Sequence, residues 1–185
     1  AFIIGIGVFS DAALAGRPLT VDDANVNDVG AGHVEAWYAR EAGPTNSWTI
    51  APASGIAEGV EVAAALSRDT SDRVTSTAVQ AKFRLTESKK DGCNMGAVVG
   101  LSQVGSGGGN SPYLNGIVTC NRENYAVHLN LGAVHRSGES TIGTWGMAYE
   151  REFGHVTAHV EYFGEKHSKP TLQIGARTDV NKSLQ

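Results

Sequence analysis

From Gly32 to about Asn181 the chain divides into short segments, each about 9–13 residues long, in which apolar and polar residues alternate and a turn signal closes each segment. That length and period suit a strand that crosses a bilayer at a tilt, one face toward lipid and the other toward a polar interior. In His155-Val156-Thr157-Ala158-His159-Val160-Glu161-Tyr162 the even positions are apolar and the odd ones polar. Thr171-Leu172-Gln173-Ile174-Gly175-Ala176-Arg177 repeats the pattern. A period of two is incompatible with an amphipathic helix.

The first residues bear on destination. Ala1 to Phe9 is an apolar run, followed by Ala13-Leu14-Ala15, a small-x-small cleavage site of the kind that ends a secretory signal peptide. The run is too short to span a membrane as a helix, and Asp11 interrupts its extension. Residues 1–15 therefore read as a signal-peptide remnant, lacking an initiator Met and a basic leading region. The other end also reads as cut, because a new segment begins at Leu184 after the turn Thr178-Asp179-Val180-Asn181-Lys182 and stops at Gln185. Of 185 residues 23 are Gly and 18% are charged, and a net charge of −4 leaves no basic patch for nucleic acid. No stretch approaches the ~18 apolar residues of a transmembrane helix, so a membrane-spanning form of this chain has to be a closed barrel.

Ten segments are expected, at 32–41, 46–56, 60–68, 73–86, 93–104, 112–121, 125–135, 142–152, 155–164 and 171–178, each antiparallel to the next. The periplasmic turns would be Gly55–Gly59, Glu87–Gly92, Asn121–Asn124 and Phe153-Gly154. The outer loops would be Glu41–Thr45, Arg68–Asp72, Gly105–Ser111, Arg136–Thr141 and Glu165–Lys169. Parity then assigns faces. Val34, Ala36, Tyr38, Thr77, Val79, Ala81, Phe83 and Leu85 point outward, as do Met95, Ala97, Val99, Leu101, Tyr125, Val127, Leu129 and Leu131. Toward the lumen point Glu35, Gln80, Lys82, Arg84, His128 and Asn130, together with His155, His159, Glu161, Gln173 and Arg177, while Gly96, Val98 and Gly100 line part of it. Acids and bases share this face, which implies a narrow interior partly filled by its own ion pairs. Tyr38, Trp48, Tyr113, Trp145 and Tyr162 fall toward one rim, and Phe83, Tyr125 and Phe153 toward the other, as the aromatic girdles of a membrane barrel require. A soluble lipocalin-like barrel or sandwich is the alternative, with the apolar face buried instead.

Other chemistries fit the pattern less well. His155 and His159 stand four residues apart, which on a strand spans ~13 Å, too far to share one metal ion. Gly105-Ser106-Gly107-Gly108-Gly109-Asn110 lacks the Gly-Lys-Ser/Thr ending of a phosphate-binding loop and reads as an outer loop. His159 and Glu161 supply two parts of a hydrolase triad without a matched Ser. No enzyme, metal or cofactor is expected.

Gly16-Arg17-Pro18-Leu19-Thr20-Val21-Asp22-Asp23-Ala24, followed by Val29-Gly30-Ala31-Gly32-His33-Val34-Glu35, resembles the opening of the outer-membrane β-barrel family associated with the meta-pathway of phenol degradation. There an Arg-Pro-Leu segment and Asp-Asp-Ala precede the first strand, and Val21 stands here where that pattern has Thr. The resemblance implies an up-and-down transmembrane β-barrel of about a dozen strands, ten of them visible here, and a transporter of small, often aromatic compounds. In physical terms residues 16–31 read as a periplasmic arm or plug ahead of the barrel at 32–185. Pro18 stops strand pairing, and Asp22 and Asp23 are available to meet Lys82 or Arg84, so Arg17, Asp22 and Asp23 form a gate. The resulting expectation is a bacterial outer-membrane channel or transporter whose partners are outer-membrane lipid, a small organic solute and the barrel-assembly machinery, with a structural or surface-interaction barrel as the alternative. Finally, if Gly105–Ser111 is a hairpin loop, Cys93 and Cys120 lie opposite each other and can form a disulfide in an oxidising compartment, or remain two small unpaired hydrophobes.

Overall fold

Alternation over ten segments produces ten strands. The computed structural model describes residues 19–40, 46–105 and 109–178, without the side chains of Ala39 and Arg40, so the signal segment 1–15 and Arg17 lie outside the described residues. The strands are β1 Gly32–Arg40, β2 Asn46–Ala57, β3 Val60–Asp69, β4 Thr75–Arg84, β5 Gly92–Val104, β6 Asn110–Arg122, β7 Tyr125–His135, β8 Thr141–Phe153, β9 Val156–Glu165 and β10 Thr171–Thr178. They pair in sequence order as one antiparallel up-and-down sheet, curled into a half-barrel.

The two ends of the sheet differ. At one end β2–β3, β6–β7 and β8–β9 are joined by the two-residue turns Glu58–Gly59, Glu123–Asn124 and Gly154–His155, with Gly59 and Gly154 supplying the positive φ that such turns need, while β4–β5 is joined there by the longer connection 85–91. At the other end the connections 70–74, 105–109, 136–140 and 166–170 are five residues each. These boundaries correct several expected turns. β2 continues to Ala57 and β6 to Arg122 because their last residues still find register partners in Val60 and Tyr125. Phe153 likewise pairs with Val156, which moves the β8–β9 turn to Gly154–His155. His155 therefore sits exposed in a turn and not on the inner face.

The sheet is inverted relative to a soluble domain. Among the described residues only six apolar ones are buried (Val21, Ala24, Val98, Ile117, Ala126 and Ala148), against ten polar or charged ones. The concave face carries Glu61, Lys82, Asn94, Thr119, His128, Asn130, Glu150, His159 and Glu161, all buried. The convex face carries exposed Val79, Val99, Leu101, Leu114, Leu129, Met147 and Leu172, with Leu131 and Ile174 about three-quarters exposed at 73% and 74%. Aromatic residues mark both margins of this convex face. Tyr38 pairs with Trp48, and Trp145 meets Tyr162 edge-on at 5.1 Å, near the five-residue connections. Tyr125 lies 5.8 Å from Tyr149, and the Arg151 guanidinium stacks 5.3 Å over Phe153, near the two-residue turns. Tyr113 departs from its expected rim position. In β6 the odd residues face inward, so Tyr113 lies over Gly100, its register partner, and its hydroxyl donates to Gln80 Oε1 at 2.9 Å. A Cβ at Gly100 would fall 2.3 Å from that ring.

Cys93 and Cys120 are register partners on β5 and β6 and are joined by a disulfide on the convex face. Denatured, non-reduced protein should show no titratable thiol, and two after reduction. Replacing both with Ser should cost about 2–4 kcal/mol in unfolding free energy, and two free thiols in the unreduced protein would refute the pairing.

Candidate functional site

A curled sheet with a polar inner face must satisfy buried donors and acceptors that no neighbouring strand reaches. The segment Leu19–Ala31 does this. It runs over the concave face and touches the sheet through side chains more than through a backbone ladder. Val21 N–H donates to Glu161 Oε2 of β9 at 2.8 Å. Asp22 N–H donates to Asn130 Oδ1 of β7 at 2.9 Å, and Asn130 Nδ2 donates back to the Asp22 carbonyl at 2.8 Å, imitating a strand pair. Ala24 N–H donates to Thr119 Oγ1 of β6 at 2.9 Å. Further along, Asn27 donates from both its backbone N–H and its side-chain Nδ2 to Glu61 Oε2 of β3, at 2.9 and 2.8 Å.

One ion pair fixes the segment electrostatically. Lys82 Nζ on β4 lies 2.7 Å from Asp22 Oδ1, the ammonium buried and the carboxylate one-third exposed. The alternative partner, Arg84, instead faces Glu58 at 3.8 Å beside a two-residue turn. Asp23 turns back on its own segment, where Oδ1 accepts Asn25 N–H at 2.6 Å. Where the segment leaves the face it passes directly over Gly55 of β2, and Val29 forms a parallel bridge to that residue. A Cβ at Gly55 would lie 2.2 Å from the Asp28 carbonyl oxygen, so the close crossing requires glycine there.

On the β6–β10 side the inner face is filled at the end that carries the two-residue turns. His128 Nδ1 shares a hydrogen bond of 2.9 Å with Thr119 Oγ1, and its Nε2 lies 3.5 Å from Glu150 Oε2. Arg177 on β10 reaches across to Glu150 Oε1 at 2.6 Å. Among the described residues the concave side holds cavities of about 870 and 830 Å3. The first lies between the segment and β1–β4, reaching Arg84 and Ser88, and the second reaches Gly109, Arg136 and Lys169 at the opposite end. Thr20, Val21, Asp22 and Gln80 line both, so the start of the segment stands between them. Near the second, Arg136 on the β7–β8 connection forms an ion pair with Glu165 of β9, whose hydrogen bond raises the guanidinium pKa above its ordinary high value.

A family model described as Uncharacterised conserved protein UCP029691 matches residues 5–185. The chain belongs to that family. Neither a curated protein nor a solved structure matches it.

In this family member the inner face gathers Glu35, Gln80, Lys82, Arg84, His128, Asn130, His159, Glu161, Gln173 and Arg177, with His155 left outside. Lys82, Asn130 and Glu161 bind the segment, while His128 acts on it through Thr119. Sequence reasoning missed Glu61, Thr119 and Glu150. Parity could have found Glu61 and Thr119, each the polar residue between apolar neighbours in Val60-Glu61-Val62 and Val118-Thr119-Cys120, whereas Glu150, followed by Arg151, carries no such signal. His33 was also missed, and it meets Asn27 at 3.0 Å.

Proposed function

We propose that the protein is a bacterial outer-membrane β-barrel whose interior passes small organic molecules, with the segment Leu19–Ala31 as its gate. The observation that carries this reading is the combination of an apolar convex face, aromatic at both margins, with a polar concave face holding two cavities divided by a side-chain-bound segment. Lipid is the solvent in which such a face is stable, because exposed apolar patches of this extent are costly in water. Three two-residue turns at one end, beside the seven-residue β4–β5 connection, and five-residue connections at the other fit the periplasmic and outer ends of such barrels. In lipid the outer edges of β1 and β10 must also be satisfied, by pairing with each other or through further strands. The resemblance of residues 16–35 to the phenol-degradation barrel family suggests aromatic compounds as cargo.

A structural barrel without transport is favoured by one observation, the filling of the turn end of β6–β10 by His128, Glu150 and Arg177. Conductance of the full protein in a planar bilayer separates the two: a static barrel stays closed to every solute and in every arm variant.

Membrane placement has its own test. Single cysteines at Val79, Leu129 and Ile174 should react with lipid-phase reagents, and ones at Ala63, Gln80 and Gln173 with water-soluble reagents. Equal aqueous reactivity of both sets would defeat the membrane reading and favour a soluble, lipocalin-like binding barrel.

A further inference from the structure

The cavity between the segment and β1–β4 has a distinctive wall. Its sheet side is paved with Ala51, Ala53, Ala63, Ala65 and Ala78, residues too small to fill the space, and Trp37 of β1 supplies the large ring. Small side chains facing inward leave room for a guest with an apolar body.

Its charges are unevenly satisfied. Two of the bases that line it are held by acids at hydrogen-bond distance, Lys82 by Asp22 and Arg177 by Glu150, while Arg84 lies 3.8 Å from the exposed Glu58; Glu58 and Glu150 lie outside the lining. The acids are satisfied differently. Glu61 accepts only from the neutral Asn27, and Glu35, in the next inward position after His33 and before Trp37, has no hydrogen bond or ion pair among the described residues. A carboxylate half-buried against alanine and tryptophan, with no ion pair among the described residues and with the nearby Lys82 already held by Asp22, is an electrostatic demand that a guest can meet.

We infer that this cavity binds a small organic cation, an amine with an aromatic or aliphatic body, its ammonium at Glu35 and its apolar part against Trp37 and the alanine wall. The geometry disfavours organic anions beside Glu35, since Lys82 and Arg177 are held at 2.7 and 2.6 Å by Asp22 and Glu150 and the carboxylates Glu35 and Glu61 line the same wall. Trp37 adds cation–π attraction as well as apolar contact. The inference deepens the transport reading by giving the solute a charge, and it rests on that reading only for the claim that bound solute moves onward.

The test is equilibrium binding to the full protein in detergent, by calorimetry, with phenethylamine, benzyl alcohol and phenylacetate as probes at moderate ionic strength. Phenethylamine should bind, benzyl alcohol at least tenfold more weakly, and phenylacetate not measurably. Glu35→Gln, which keeps shape and removes charge, should reduce phenethylamine affinity at least tenfold and leave benzyl alcohol unchanged. Trp37→Leu should weaken both, and strand content by circular dichroism identifies any variant that has failed to fold. Equal affinity for all three probes, no binding of any, or indifference to Glu35→Gln would overturn the inference. Because binding is read in detergent, those outcomes leave conductance untouched, and a closed bilayer with intact amine binding would instead remove transport alone.

Discussion

Lys82→Met should release the segment Leu19–Ala31 from the concave face and open the path between the two cavities. The variant leaves the Asp22 carboxylate without its cation at a position where the ammonium was buried and the carboxylate one-third exposed. Fully buried pairs broken on one side cost about 3–5 kcal/mol, and the exposure of Asp22 reduces this to roughly 2 kcal/mol. That shifts the docked-to-undocked ratio about 30-fold toward undocked. Gly55→Val should act in the same direction by a separate route, because its Cβ would collide with the Asp28 carbonyl oxygen. Deleting residues 19–31 sets the upper limit of the effect. Two readouts check it: single-channel conductance in a planar bilayer, and the mobility of a spin label at Asn25. A label that stays immobile in both variants would contradict the docking energetics, whereas a mobile label with unchanged conductance would contradict the path.

The second large effect belongs to Arg177→Met, expected to destabilise the sheet by about 3–5 kcal/mol and to loosen β10 first. Arg177 is the tie that crosses β9 to reach Glu150 on β8, and both side chains are largely dry, at 17% and 4% exposure. With the guanidinium gone, the contact of 3.5 Å to His128 remains beside Glu150. Arg177→Lys should recover part of the loss, since it restores the charge but not the planar fork. Adding Glu150→Gln to Arg177→Met should recover more, because a buried pair removed on both sides leaves no isolated charge. Urea unfolding of the protein in detergent measures each step. A cost for Arg177→Met below about 0.5 kcal/mol, the range of an ordinary surface substitution, would show that the pair carries no stability.

Both predictions turn on contacts that no local pattern displays. Alternation in Val156–Tyr162 and Thr171–Arg177 announces strands because a period of two admits no other regular structure, and ten such stretches separated by turn residues leave an antiparallel meander as the simplest topology. The same parity placed Lys82, His128, Asn130 and Glu161 together on one face, for side chains in a strand have only two directions to choose from. Where a single residue of register mattered, pattern was insufficient. His155 continues the alternation of β9 yet belongs to the turn, because Phe153 and Val156 close the ladder before it. Tyr113 has the composition of a rim aromatic, but the register of β6 with β5 turns it inward over Gly100.

The choice of partners was decided only by the fold. Asp22 and Asp23 were equally able to seek Lys82 or Arg84 on sequence grounds, and curvature brought Lys82 alone within 2.7 Å of Asp22, while Asp23 bonded to its own segment. Glu61 and Thr119 are unremarkable in the chain and become anchors because β3 and β6 meet a segment distant in sequence, as Glu150 becomes the partner of Arg177 across β9. Glu35 shows the same limit from the other side. Its inward direction follows from alternation alone, but its lack of an ion pair among the described residues depends on where Asp22 and Glu150 have drawn Lys82 and Arg177. Sequence by itself determined the strands and the sidedness of the sheet, since both arise from interactions between near neighbours along the chain. Tertiary structure decided which charges meet and which are left over, since those energies depend on distances set by the curl of the whole sheet.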